Sequence, residues 1–485
     1  MNYKIKNMFH YVLIMLLMSG FQVLGQSAAV DMEAVDQFIE QSLRYHSAPG
    51  ISVSITTADG TFYNRNHGTH LGKELNSATP LFIGSVSKVI TALGIAVLHD
   101  RGALHFSDKA SKYIPDTQLG DDSHITIRQL LHHHSGFSQQ SGYDEKVEFE
   151  GQFSEAELSA TPGEKGQYSS TNFAILGQVI EKVSGKPYKA FVENEIFVPL
   201  GMSNSYVPEV TEGKAKEGYT HFFGIPIKSR QMNYGYYIIP AGYIMSTTED
   251  LNKMNLMLLN RGIVDDSITF LKPATVEAMF TPFKGNEFGY GKSWGIGKIA
   301  GVKAYSHEGL TSISNAFTAM LPDQGMAISV ITNINSGPFY SLTDHIMEGI
   351  VKISQRQSVD NVFTWEMAIR IGLGFIMLHM LYTCIITLNR WKKNGYLRHL
   401  NYRAKYVISF IFGLIPLLII FILPSIIGVS ISMLIRIMPD FGYTILLSAL
   451  LSVPLSMLKW YNKSFENQES EIKEREMKSA EMTTA

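Results

Sequence analysis

A serine and a lysine three positions apart, Ser85 and Lys88 in Gly84-Ser85-Val86-Ser87-Lys88, stand at the head of the apolar run Val89–Leu98. Read with a helical period, that run predicts a buried helix ending near Arg101-Gly102. Positions i and i+3 share one helix face. Hydroxyl and amine therefore meet in the first turn, where unpaired N–H groups and the positive dipole end favour an anion. Those are the groups a serine nucleophile needs. The pattern alone is weak: Ser456-Met457-Leu458-Lys459 also fits it, at the end of a hydrophobic segment. A first-turn serine can simply cap the helix, with Lys88 a solvated lysine.

Two further stretches carry chemistry. Pro162–Gln167 is a turn-rich loop that delivers Tyr168-Ser169-Ser170 just ahead of a helical pattern over Thr171–Val183, which stops at Ser184-Gly185. A tyrosine there is placed to present its phenol to a cleft, although a core tyrosine is an equally ordinary reading. His307-Glu308-Gly309-Leu310 follows a strand pattern at Ala304–Ser306. The run His132-His133-His134 invites a metal reading, but adjacent side chains fan apart and no H-E-x-x-H spacing exists. We expect no metal and no cofactor; His134-Ser135-Gly136 reads as a helix end that buttresses the cleft.

The elements that must position these groups lie in one stretch. Strand patterns occur at Ile51–Ile55, Tyr290–Ile296, Asn315–Met320 and Ala327–Thr332. A helix through Leu258 opens with a capping pattern at Ser246–Glu249. Strands at both ends with helices between predict an α+β domain over residues 30–355, its sheet drawn from both termini. The chain of 485 residues has a formal net charge of -2, which argues against a nucleic-acid partner. The lone cysteine, Cys384, excludes a disulfide or cysteine metal site within the chain.

Residues 1–26 read as a signal peptide, with Lys4 and Lys6 ahead of an apolar run. Three apolar segments near the other end read as transmembrane helices at 366–389, 406–434 and 441–458. The loop 390–405 carries Arg390, Lys392, Lys393, Arg398, Arg403 and Lys405 and no acid, a cytoplasmic signature. That places the domain outside the cytoplasm, periplasmic or extracellular, on a multi-pass anchor in the lipid bilayer. The tail 459–485 reads as cytoplasmic.

Ser85-x-x-Lys88, Tyr168-Ser169-Ser170 and His307-Glu308-Gly309, with Ile125–Arg128, His134-Ser135-Gly136, Pro199–Met202 and Gly242–Leu251 between them, resemble the serine beta-lactamase and penicillin-binding-protein superfamily. The likeness covers about residues 35 to 350, in the branch of class C beta-lactamases, esterases and D-amino-acid peptidases. It implies a helical subdomain packed on an antiparallel sheet flanked by helices. It also implies Ser85 as acylated nucleophile, Lys88 and Tyr168 as the proton-handling pair, and the N–H groups of Ser85 and Leu310 as oxyanion hole. Substrate binding would fall to Ser170, His307, Glu308 and Gly309. A lysine base requires its ammonium form to be disfavoured, by desolvation and neighbouring positive charge.

Two departures redirect the expected substrate. The superfamily mostly carries Lys-Thr-Gly or Lys-Ser-Gly where this chain has His307-Glu308-Gly309. An acid there repels a carboxylate and attracts an ammonium or amide donor. Ser170 stands where asparagine is commoner, so beta-lactam hydrolysis is not expected. Signal, domain and three spans together resemble membrane-anchored peptidases of the colibactin-maturation type, which remove an N-acyl-D-amino-acid cap. The acidic residue expected shortly before the nucleophile is missing: Leu81-Phe82-Ile83 stands there. A peptidase or amidase on such small-molecule or peptide substrates is the leading expectation. A carboxylesterase or cell-wall-modifying enzyme comes next, and an inert beta-lactam or peptidoglycan sensor is the rival. A homodimer through the spans is a further expectation.

Overall fold

The computed structural model describes residues 30–57, 62–114, 124–139, 146–156, 158–210, 216–265, 268–283, 291–335, 342–359 and 365–394, with short stretches beyond, the longest 439–447. The expected signal peptide lies outside the described residues, as do most of the second span, the loop between spans and the tail.

Seven strands form one antiparallel sheet. In chain order they are β1 (Gly50–Thr57), β2 (Phe62–His70), β3 (Lys73–Glu74), β4 (Gly295–Ile299), β5 (Val302–Leu310), β6 (Asn315–Leu321) and β7 (Met326–Thr332). Their spatial order is β4-β5-β6-β7-β1-β2-β3, so strands from the two ends of the domain meet at β1 and β7. The alternation in β1 shows why both faces are covered. Ile51, Val53 and Ile55 join a core with Val35, Phe38 and Ile39 of helix α1 (Met32–His46) and Ile346 and Ile350 of a late helix, Leu342–Ser354. The intervening hydroxyls point to the other face. There Asn252, on a helix spanning Thr248–Leu259, donates to Ser54 at 3.0 Å and accepts from Ser329 at 2.7 Å.

The larger core belongs to the helical part. Helix α2 (Ser87–Asp100) is buried from Ser87 to Leu98, as its unbroken apolar run requires. It packs with α3 (Ile127–Leu131) and α4 (Thr171–Ser184). Gly177 lets α4 press against the Ile239–Gly242 helix, since a Cβ there would stand 2.3 Å from Pro240 Cγ. Thr91 of α2 donates to Pro240 O at 2.7 Å, which fixes the same segment from the other side.

The strand expected from Tyr290 begins only at Gly295. Before it the chain turns: Gly291 N–H bonds Trp294 O at 2.7 Å and Ser293 has a left-handed φ of 69°. The first expected span falls in a single helix, Trp365–Asn394, whose Arg370 is buried against Asp440 at 2.5 Å. Among the described residues no helix is long and apolar enough to cross a membrane.

Candidate active site

Ser85 sits in a single turn of 3₁₀-helix, Gly84–Val86, that runs directly into α2. A two-strand ladder, Leu81–Phe82 with Met245–Ser246, fixes the approach to that turn, and Ile83 N–H bonds Ile244 O at 3.1 Å. Ser87 completes the brace by donating to Gly84 O at 2.7 Å and accepting from Ile244 N–H at 3.0 Å. No side chain caps this helix start. Ser85 is therefore not a helix cap; it is half-buried, and its Oγ faces Lys88.

Lys88 is fully buried, with no carboxylate among its bonded partners. Its Nζ lies 3.1 Å from Ser85 Oγ, 3.3 Å from Ser170 Oγ and 2.5 Å from Ala241 O. Burial pulls its ammonium down from the ordinary 10.5 to about 7. Neighbouring positive charge, the second cause expected from sequence, contributes nothing here. The two histidines nearby, His133 and His307, are themselves held neutral, chiefly by burial and then by the charge of Lys88. With Lys88 neutral, two N–H groups stay on Ala241 O and Ser170 Oγ. The nitrogen lone pair is then free to take the Ser85 proton.

Tyr168 packs its ring beside this cluster. Its ring centroid is 4.9 Å from Lys88 Nζ. The other face of the site is His133, whose ring packs on Tyr168 with centroids 4.5 Å apart. His133 Nδ1 accepts from Ser169 N–H at 3.2 Å and from Asn172 Nδ2 at 2.9 Å. An Nδ1 that accepts two bonds leaves the proton of the neutral ring on Nε2. Asn172 in turn accepts from Ser135 Oγ at 2.5 Å. Ser170 makes no side-chain cap on α4, so its hydroxyl is available to meet Lys88.

Strand β5 closes the site. Its ladder with β4 ends at the pair Gly295 and Ser306, so that ladder does not extend along His307–Leu310. The nucleophile turn lies against this stretch. A Cβ on Gly309 would sit 1.9 Å from Ile83 O and 3.1 Å from Ser85 N, and one on Gly84, at φ +53°, 2.4 Å from Leu310 N. Only glycines permit that approach, which brings the N–H groups of Ser85 and Leu310 together. Two converging backbone donors beside a nucleophile can hold an oxyanion.

The pleat divides the two residues before Gly309. His307 pairs with Thr318, on the face where Asn255 bonds Thr318 at 2.7 Å. It is buried; its Nδ1 meets Glu308 O at 2.6 Å, so this nitrogen carries the proton. Glu308 pairs with Phe317, on the α1 face. Its side chain stays open to solvent as a whole, yet partial burial of the carboxyl and then the charge of Asp344 push it up to about 7.

The other two histidines of the triplet go separate ways: His132 Nε2 lies 3.1 Å from Thr281 O, and His134 stacks on Phe283 at 4.3 Å. No group of His, Cys, Asp and Glu able to hold a metal occurs among the described residues. Sequence reasoning misses His133 and Asn172 as supports of Tyr168 and the Ala241 carbonyl as partner of Lys88. The helix-ending His-Ser-Gly is the one signal in the sequence, and it points to His134 rather than to His133.

With this geometry in hand, comparison with known proteins is informative. A family model described as Beta-lactamase matches residues 35–348. Protein flp of Staphylococcus aureus (strain N315) is 26% identical over 371 residues, covering 71% of this chain and 73% of that protein. The octameric penicillin-binding protein homologue from Pyrococcus abyssi superposes with a TM-score of 0.58 at 24% identity, over 68% of this chain and 79% of its own. The D-amino acid amidase from Ochrobactrum anthropi SV3 complexed with D-phenylalanine gives 0.55 at 19% identity, over 67% and 99%.

Proposed function

The chain belongs to the beta-lactamase family and is a serine hydrolase, and from that premise we propose an amidase or peptidase that works through an acyl-enzyme on Ser85. The observation that carries the reading is Lys88: a fully buried amine, brought to about 7, within 3.1 Å of Ser85 Oγ. In the first step Lys88 takes the Ser85 proton as Oγ attacks the substrate carbonyl. The tetrahedral oxyanion rests on the N–H groups of Ser85 and Leu310. As the C–N bond breaks, the proton held by Lys88 passes to the leaving nitrogen, with Tyr168 beside Lys88 to relay it. A water then attacks the acyl-serine, gives its proton back through the same pair, and releases the acid.

Two features support an amide or peptide without a free carboxylate as the substrate. His307 is neutral and buried where a cation would be needed to hold a carboxylate. The ladder with β4 leaves off before His307–Leu310, and an extended peptide-like chain can add along such an edge. We further propose that the domain faces the periplasm or cell exterior on its C-terminal spans, as the apolar segments and the basic loop 390–405 favour.

The full chain, purified from membranes, should hydrolyse N-acyl-D-amino-acid amides faster than their L-counterparts. Activity should vanish in Ser85→Ala and persist in Ser456→Ala. Equal rates for parent and Ser85→Ala would reject the proposal. Faster turnover of simple esters than of any amide would move the reading to a carboxylesterase.

A further inference from the structure

On the far side of the His132–His134 segment from Tyr168 lies a second concavity of about 480 Å³ between α3 and residues 281–283. Its wall includes Arg128, His132, Phe283 and Lys292, and no acidic residue among the described residues. Lys292 is 5% exposed, and neither it nor Arg128 forms an ion pair among the described residues. A buried ammonium is normally matched by a carboxylate, because its desolvation is costly. Here its bonded partner is the carbonyl of Ala278, near the end of the helix Pro273–Met279, with the ring of Phe106 5.0 Å away. One carbonyl uses one of three ammonium donors. Two cations thus line one concavity with no carboxylate against them among the described residues.

His132 adds a second, independent sign. Its Nδ1 lies 2.8 Å from Arg128 O and its Nε2 3.1 Å from Thr281 O. Both neighbours are acceptors, and a neutral imidazole has a single N–H to offer. The ring is 1% exposed, so bulk solvent does not make up the deficit. Only the doubly protonated ring answers both carbonyls. The surroundings oppose that form: burial, then Lys292, and also His134, hold the ring neutral. A negative charge seated between Lys292 and Arg128 would reverse the balance.

We propose that this concavity is a binding site for a compact oxyanion, a phosphate or a carboxylate, held between Arg128 and Lys292 and separate from the Ser85 centre. Arg128, exposed at the mouth, offers a planar fork to two oxygens, and Lys292 a point charge at the floor. Phe283, already stacked on His134, supplies a flat apolar wall for an aryl or alkyl substituent. Occupation draws a proton onto His132.

Calorimetric titration of the full chain with inorganic phosphate and, separately, with benzoate tests this, with chloride at equal ionic strength as reference. One of the two should saturate at a single site that chloride does not compete for. Tighter benzoate identifies a carboxylate bearing a flat group, and tighter phosphate a phosphate source. Binding should weaken at least tenfold in Arg128→Gln, a surface change that leaves the core intact, and again in Lys292→Gln. The binding heat should depend on the ionisation enthalpy of the buffer above pH 6, reporting proton uptake, and lose that dependence in His132→Asn. Absence of saturation for both anions, or equal affinity in Arg128→Gln, overturns the site.

Discussion

Replacing Lys88 with methionine should make the protein more stable while abolishing its chemistry. The shift of the Lys88 ammonium from 10.5 to about 7 corresponds to about 5 kcal/mol of unfavourable burial at and below neutral pH. Against that stand bonds to Ser85, Ser170 and Ala241, each worth about 1 kcal/mol net. Methionine has nearly the same length and leaves no large cavity. The balance favours Lys88→Met by about 2 kcal/mol, a rise of a few degrees in Tm. The sign can be checked through pH. The unfolded chain binds more protons than the folded one between about pH 7 and 10.5, so the parent gains stability as pH rises through that window. The variant's advantage should therefore be largest at pH 6, vanish near about pH 8 and turn into a deficit of about 2 kcal/mol by pH 10. Thermal unfolding of both full chains at several pH values measures it, and acylation by a fluorophosphonate should drop about a thousandfold in parallel. A variant less stable than the parent at pH 6, or a gap that does not change with pH, would refute the reasoning.

Other consequences follow from the same geometry. The kcat/KM of an uncharged substrate should rise with pH through about 7, as Lys88 loses its proton, and a profile flat from pH 5 to 9 contradicts that role. Ser170→Ala removes an acceptor of the ammonium form, so the rising limb should move to lower pH with only a modest loss of rate. Gly309→Ala places a Cβ 1.9 Å from Ile83 O, and steady-state assays should show at least about a hundredfold loss of kcat as the two oxyanion donors separate. Asn172→Leu takes the acceptor from the buried Ser135 hydroxyl and one of the two donors from His133 Nδ1, which should cost about 1–3 kcal/mol in denaturant unfolding and lower the acylation rate by loosening Tyr168.

Some of this site is legible in the sequence because side chains close in sequence must be close in space. Ser85 and Lys88 sit one helical turn apart, and the observed bond between them is the contact that spacing implies. Tyr168 can be placed because a turn-rich loop feeds a clear helix start at Thr171. The β1 alternation likewise shows which residues form a sheet face. What stays hidden depends on long-range approach. The carbonyl of Ala241 has no side-chain signature, and it comes to Lys88 only because Gly177 admits Pro240. His133 is one of three identical neighbours, and its left-handed φ of 57° decides which ring turns toward Tyr168. The depressed basicity of Lys88 is expected from the sequence, but burial alone accounts for it.

The most direct measurement is to trap the acyl-enzyme. The full chain treated with a fluorophosphonate, or with an N-acyl-D-amino-acid ester quenched in acid, should carry one adduct, and peptide mass spectrometry should map it to Ser85. Ser85→Ala should carry none. An adduct on another residue, or steady hydrolysis by the Ser85→Ala chain, would contradict the account.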